Sequence, residues 1–361
     1  MERTTVPPLR KFLHTLSISI TFFLGGITIA GVFASYVPPS QSVLLAFLGL
    51  FLPALIILNF IFIIYWALRR RFWVWIPVMA IIANSGFLNS IFQFQLREKA
   101  LLPGHKSLTV ATYNVHSFGK EADGHSCKEI ARYMNEQKVD VICFQEFMAT
   151  KEFPMDSIKK AFSAWKYHVM TPSNLDLIPL AIFSKYPIAK NELTMYTNSN
   201  NCSLWCDISI ANKKVRIFNN HLQTTNLSQN RKRLQEELNM GNEGLKGVMY
   251  DIMRITKENF IKREQQAQII HRLSLQSPYP VLLCNDLNSI PSSHAYHEIK
   301  GNLKDGFKTC GRGYAYTFRY YKRMLRIDYI FHSPELQGTR YFSPNLDLCS
   351  DHNPVIMEVG I

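Results

Sequence analysis

PVLLCNDLNS, residues 280–289, is an apolar run that ends in two polar side chains. Pro280 to Cys284 reads as a short buried strand. It delivers Asp286 and Asn288 just past its C-terminal end. Taken alone this is unremarkable, because Asp and Asn are common turn formers. The arrangement recurs along the chain. Val139–Phe144 is a continuous apolar run that ends in Gln145-Glu146. Ser107–Val115 alternates and carries Asn114. Lys214–Asn219 delivers His221, and Leu325–Phe331 carries Asp328. SDHNPV (350–355) sets Asp351 and His352 at the start of a terminal strand, Val355–Val359.

Eight polar residues therefore sit at or near the ends of apolar strands. Each has a bland reading as a turn former or the first solvated residue. Asp328 resists it, since a charge flanked by Ile327 and Tyr329 needs a partner if buried. Eight unrelated accidents are a poorer account than one shared site. Carboxylate and amide oxygens are hard ligands suited to Mg²⁺ or Mn²⁺. A histidine paired with an aspartate can stabilise or protonate a departing oxygen. Together they suit metal-assisted attack of water on a phosphate ester. Zinc would call for more His or Cys ligands.

Between these strands, Cys127–Gln137 has helical spacing, and Leu180–Phe183 and Leu204–Ile210 read as strands. Residues 228–275 suit one or two surface helices interrupted near Gly241–Gly247, and Ser293–Ile299 a short helix. The 7 cysteines show no CxxC spacing. Cys143 and Cys284 read as buried thiols. Cys202 and Cys206 are too far apart for a disulfide if both lie on one strand, which separates them by roughly 13 Å.

TYNVHSF (112–118), FQE (144–146), NNHL (219–222), NDLNSIPSS (285–293), RIDYIF (326–331) and SDHNPV occur in the order of the endonuclease/exonuclease/phosphatase superfamily. The chain resembles that family from about residue 107 to 361. The resemblance implies an α/β fold of four layers, two packed mixed sheets flanked by helices, and divalent-metal hydrolysis of phosphate esters. It implies that Glu146 is the principal metal ligand with Asn114 beside it, and Asp351 a second metal or structural carboxylate. Asp286 would orient or deprotonate the attacking water and Asn288 would position it. His352 would contact the scissile phosphate with Asp328 as its carboxylate partner, and His221 would be a further phosphate contact. Three departures stand out. Asn285 replaces the Gly that usually precedes the motif Asp. His116 stands where some nucleases carry an acidic ligand. Residues 223–268 form a long polar insertion. Its Arg263 reads as a phosphate contact or as part of a solvated helix face.

Residues 12–92 hold no charge except Arg69, Arg70 and Arg71. Three apolar stretches, about 12–36, 43–68 and 72–92, approach the roughly 20 residues that a bilayer requires. Trp66, Trp73 and Trp75 flank the arginine turn, as interfacial aromatics do. Pro77, Asn84, Ser85 and Asn89 weaken the third stretch and are expected to face other helices. The division is a membrane part, 1–96, a linker, 97–106, and a catalytic unit, 107–361. Up to residue 96 the chain has six basic residues and one acidic. The remainder therefore has 34 basic and 26 acidic, or +8 of the total +13. The excess suits anionic substrates or an anionic membrane surface. Arg3, Arg10, Lys11 and the arginine triplet place the N-terminus in the cytoplasm and the catalytic unit outside, against the weaker pull of Arg97, Lys99 and Lys106.

The expected activity is that of a membrane-anchored phosphoesterase using Mg²⁺ or Mn²⁺. Its partners are the lipid bilayer and a phosphate ester: a lipid headgroup, a small phosphoester or a nucleic acid. An outward-facing nuclease is the alternative, served by Lys322, Arg323 and Arg326 near Tyr320 and Tyr321. A non-catalytic membrane-bound binding module is an alternative of another class, although binding alone needs no such set as Asp286 with His352.

Overall fold

The computed structural model describes residues 8–95, 99–210, 212–225, 245–320 and 323–361. Its strands are β1 (Phe92–Gln93), β2 (Ser107–Asn114), β3 (Val141–Gln145), β4 (Tyr167–Met170), β5 (Leu180–Ser184), β6 (Ile188–Met195) and β7 (Cys202–Ile210). They continue with β8 (Lys213–His221), β9 (Val281–Asp286), β10 (Lys304–Asp305), β11 (Gly313–Tyr314), β12 (Asp328–His332), β13 (Gln337–Phe342) and β14 (Val355–Gly360). Twelve of them form two six-stranded sheets, ordered β13-β14-β2-β3-β5-β4 and β10-β12-β9-β8-β7-β6. In each sheet one central pair is parallel, β2 with β3 and β8 with β9, and the remaining pairs are antiparallel. The two sheets share one plan and pack face to face.

Strand periodicity explains the layers. Val110, Cys143, Ile182, Ile217, Cys284, Ile330 and Met357 point inward and fill the space between the sheets. Ala111, Tyr113, Ile142 and Phe144 point outward under helices His125–Glu136 and Met155–Ala161. Phe218, Leu283, Tyr329 and Phe331 do the same under helices Leu245–Leu275 and His294–Lys300. These are the four expected layers. All seven cysteines are free, Cys202 and Cys206 included.

The period-2 pattern also places the polar residues. Counting on from the inward Val110, Cys143, Ile217 and Cys284, the next inward positions are Thr112 and Asn114, Gln145, Asn219 and His221, and Asp286. The core between the sheets thus turns polar toward one end. Gln145 donates to Thr112 Oγ1 at 2.9 Å and to Asn219 Oδ1 at 2.7 Å. Asn219 donates to the carbonyls of Phe144 and Ala181, which ties the two sheets together beneath the site.

At the N-terminal side, helices Pro8–Ser35 and Val43–Leu68 are long and apolar enough to cross a membrane. The third stretch is a pair, Phe72–Ala83 and Ser85–Ile91, bent by 61°. Asn84 sits at the bend and donates to Ala80 O and Thr28 O, both at 2.9 Å. Asn84 therefore faces the other helices as expected, whereas Ser85 and Asn89 are exposed. Gly247 lies inside helix Leu245–Leu275, so no interruption falls there; residues 226–244, Arg3, Arg97, Tyr321 and Lys322 lie outside the described residues.

Candidate active site

The polar end of the inter-sheet core gathers side chains from six strand ends. Asn114, at the end of β2, is the hub: its amide donates to Glu146 Oε1 and to Asp286 Oδ2, both at 3.0 Å. Glu146 follows β3 with φ +52°, and Asn288 follows β9 with φ +47°. Both lie in the left-handed region, where a non-glycine residue is strained; such strain collects at functional sites. The Asn288 N–H donates to Asp286 Oδ1 at 3.0 Å, and its side chain donates to Leu222 O at 3.1 Å. Asn285, by contrast, lies in regular strand, opposite Tyr329. Its side chain accepts from Asn220 at 2.7 Å. The missing Gly thus changes nothing in the backbone path of β9.

His221 ends β8 fully buried, with Nε2 3.5 Å from Asp286 Oδ2 and 3.8 Å from Glu146 Oε1. Neither of its ring nitrogens has a hydrogen-bond partner. A buried polar atom left unpaired marks a place that a further group completes. On the opposite wall His352 Nδ1 meets Asp328 Oδ2 at 2.9 Å. His352 Nε2 lies 3.9 Å from both Asp286 Oδ2 and Asp351 Oδ1. Asp328 is held in turn by its own N–H donating to Thr317 Oγ1 at 3.0 Å. Ser350 Oγ donates to Asn114 O at 2.6 Å and accepts from the His352 N–H at 3.0 Å, joining β14 to β2.

Charge follows this geometry. Burial alone would depress the His352 imidazole, but the Asp328 and Asp286 carboxylates outweigh it and hold it up at about 10. Asp328 is itself pushed up, by burial and by Asp286, and His352 opposes that. One proton is thus kept within the pair, on the imidazole side. Burial would raise Glu146, yet the His116 hydrogen bond, His221 and Asn114 hold its carboxyl down at about 2.

Asp286, Asp328 and His352 offer ligand atoms within 4.8 Å of one another. That trio is a poor cation site, because a protonated imidazole has no free lone pair and its Nδ1 is committed to Asp328. The other side fits a hard divalent cation better, since the ionised Glu146 and Asp286 beside it offer carboxylate oxygens, with the unpartnered His221 Nε2 within 3.8 Å of both. Asn114 presents its NH₂ to both carboxylates, while its oxygen accepts from the His116 N–H at 3.0 Å. In this orientation it positions the carboxylates.

Two expected substrate contacts are corrected. Arg326 does not reach the site. It is fully buried, donating to both Asp305 oxygens at 2.8 and 2.6 Å and to Ser90 O at 2.8 Å. Arg263 is neither solvated nor open to substrate. It is buried behind the catalytic loop, donating to Thr225 Oγ1 at 3.0 Å and to Asn288 O. Sequence reasoning gave no role to Thr317 or Ser350, and it named His116 only as a departure at a ligand position, whereas its Nδ1 lies 3.2 Å from Glu146 Oε2. Ser350 was within reach as the first residue of SDHNPV. Thr317, between two aromatics, carries no such signal.

The match to known proteins follows this geometry. The family model described as endonuclease/exonuclease/phosphatase family matches residues 111–352. The chain belongs to that family. It is accordingly a hydrolase acting on phosphate esters. A second model, a domain of unknown function, matches residues 10–91. No curated protein matches. Among solved structures, the family protein from Beutenbergia cavernae is 16% identical with a TM-score of 0.53, covering 71% of this chain and 72% of its own. One from Bacteroides thetaiotaomicron is 17% identical with a TM-score of 0.51, covering 71% and 98%. D. rerio TDP2, solved with a single-strand DNA product, is 14% identical with a TM-score of 0.50, covering 71% and 100%. At such identities the likeness is one of fold.

Proposed function

We propose that this protein is a membrane-anchored, divalent-metal-dependent phosphoesterase. The observation that carries the reading is the convergence of Glu146, Asp286 and an unpartnered His221 opposite the His352–Asp328 pair. Residues 1–96 form the membrane part with the bent pair as a third span, 97–106 the linker, and 107–361 the catalytic unit. The arginine turn and the basic N-terminus favour a catalytic unit on the outer side.

Glu146 and Asp286, with Asn114 steadying the carboxylates, would hold Mg²⁺ or Mn²⁺, and Asp351, 3.9 Å from His352 Nε2, would be a second metal or structural carboxylate on the other wall. When bound, the ion supplies positive charge that draws electrons from the phosphate. The chain's own groups do the rest. Asp286 accepts the proton of the attacking water, and the Asn288 backbone holds Asp286 Oδ1 in place. His352, charged and backed by Asp328, faces the phosphate and protonates the departing oxygen. His221 offers its free nitrogen to a phosphate oxygen. Arg263 acts indirectly, fixing the Asn288 carbonyl.

The test is hydrolysis of a generic aryl phosphodiester and monoester by the full chain, with Mg²⁺ or with chelator. Turnover should require the metal and vanish in Asp286→Ala. Unchanged turnover in that variant would sink the mechanism, and no turnover at all would favour the binding module. The nuclease alternative loses Arg326 from its basic patch; nicking of supercoiled plasmid in parallel decides it.

A further inference from the structure

The end of the sheets that carries the site is also the end that meets the apolar helices. Asp286 closes β9, and six residues on Ser292 Oγ donates to Gly49 O at 2.8 Å, while Ser35 Oγ donates to Ser292 O at 3.1 Å. A Cβ at Gly49 would lie 3.1 Å from Ser292 O, so the two backbones touch. Asp328 opens β12, and two residues earlier Arg326 holds Ser90 O. On the long helix, Glu264 accepts from Ser40 N and Oγ at 2.8 and 2.7 Å, one residue from the Arg263 that grips the catalytic loop. Phe260 packs on Phe47 with ring centroids 5.4 Å apart. The opposite end is remote: β2 begins there, and Leu102 N donates to Gln337 Oε1.

Depth follows from helix geometry. A hydrocarbon layer of about 30 Å takes about 20 residues at 1.5 Å each. Counted back from Leu68, beside the arginine turn, those residues end at Gly49. Ser292 therefore sits at the upper edge of the hydrocarbon, and the catalytic loop lies at headgroup level.

The exposed surface around the mouth agrees. Phe94 is 86% exposed and stacks edge-on with Phe92, which pairs with Tyr314. Tyr314 OH donates to Met324 O, and Tyr320 lies beside Phe318, whose ring is 5.2 Å from that of His352. An aromatic run thus leads from the last apolar helix to the catalytic histidine, with Tyr314, Tyr320 and Met324 exposed along it. On the other flank, the long helix meets the upper end of Val43–Leu68, with Glu264 at Ser40 and Phe260 at Phe47. Aromatic and Met side chains bared beside spanning helices suit the membrane interface.

We propose that the mouth of this site lies in the headgroup layer of the bilayer its own helices span, and that its substrate is a phosphate ester of a membrane lipid. This rests on the phosphoesterase and membrane-anchor reading above. The step is hydrolysis. Water oxygen bonds to phosphorus while the P–O bond to the leaving oxygen breaks with its electron pair. Asp286 takes the water proton, and His352 gives one to the leaving oxygen.

The experiment uses the full chain reconstituted with Mg²⁺ in vesicles of phosphatidylethanolamine and phosphatidylglycerol, with phosphatidylinositol and phosphatidic acid included. Phosphorus NMR follows lipid cleavage, and an aryl phosphoester in solution is the independent readout of catalysis. A nitroxide on Tyr320→Cys reports depth, through collision with oxygen against a water-soluble nickel chelate. Leu102→Cys is the control, and the native cysteines are buried apart from the half-buried Cys349. The expected result is a lipid-side label at 320, an aqueous one at 102, and lipid cleavage. Enzyme and lipid share one surface, so cleavage should run about 10²-fold or more faster than with a short-chain soluble lipid of the same headgroup. Aryl ester turnover with an aqueous label at 320, or with intact vesicle lipid, overturns the inference and leaves the phosphoesterase standing. Single-stranded DNA cleaved while the lipid stays intact also overturns it, and assigns the aromatic run to base stacking. Loss of aryl turnover as well removes the phosphoesterase reading itself.

Discussion

Replacing Asp305 by Ala strips the partner from Arg326, a fully buried cation. Both side chains of the Arg326–Asp305 pair are fully inaccessible. Asp305 also accepts from Tyr296 OH at 2.7 Å and from the Phe307 N–H at 3.0 Å, capping helix Gly306–Cys310. Breaking a buried pair from one side costs about 3–5 kcal/mol, because the remaining charge is stranded. Losing the cap adds about 1 kcal/mol. At about 2–4 °C per kcal/mol for a unit of this size, the sum lowers Tm by about 10–20 °C. The assay is thermal unfolding of the full chain in micelles, followed by near-ultraviolet circular dichroism. Asp305→Leu combined with Arg326→Met should recover most of the loss, since a packed apolar pair replaces an ionic one. A Tm within about 3 °C of the parent for Asp305→Ala, about 1 kcal/mol on the same scale, would refute the reasoning. Below its Tm that variant should keep its turnover, because neither side chain lines the site; a loss of kcat/KM in the folded variant would return Arg326 to the substrate.

The same pair sets an acid limit. Burial would raise the Asp305 carboxyl, but Arg326 holds it below its ordinary value. The folded chain therefore binds this proton more weakly than the unfolded one. The stabilisation is complete above the unfolded value of about 3.9 and is lost as pH falls through the lower folded value. Urea midpoints across that range should show it, and a midpoint flat from neutral pH to pH 3 would contradict it. Asp328→Asn should slow turnover by about 10²–10⁴-fold with little change in KM, as the His352 proton loses its partner; steady-state kinetics at neutral pH read this. Arg263→Met frees the Asn288 carbonyl and should lower kcat more than it raises KM, whereas a substrate-binding arginine would do the reverse. Glu146→Gln should weaken activation by Mg²⁺, read as a higher metal concentration for half-maximal rate.

The four layers were an implication of the family resemblance, and strand periodicity explains why the structure has them. Val110, Cys143, Ile217 and Cys284 share one face, and the polar residues continue the same count. Pro280–Cys284 was read one residue early at its start and two short at its end against β9, and the site residues named from strand ends do converge. Roles of long cations were not legible. Arg326 and Arg263 have partners 21 and 25 residues away, Asp305 and Asn288, and no local pattern announces them. Thr317 escaped for the same reason: its hydroxyl matters only because β12 brings the Asp328 N–H to it. Strands β4, β6, β10 and β13 were not anticipated. All four are edge strands, where exposed positions blur the apolar alternation.

The pairing of β2 with β14 makes the site depend on a contact between distant parts of the sequence. β2 and β14 are far apart in sequence, yet they lie side by side, and Ile361 exchanges backbone hydrogen bonds with Lys106. His352 and Ser350 reach Asn114 only when that last strand docks. Ser350 and Asn114 stand 236 positions apart in sequence, so the two walls of the site meet through a long-range pairing that forms slowly relative to local contacts. A chain cut before residue 350 keeps Asn114, Glu146 and Asp286 and lacks the His352 wall altogether.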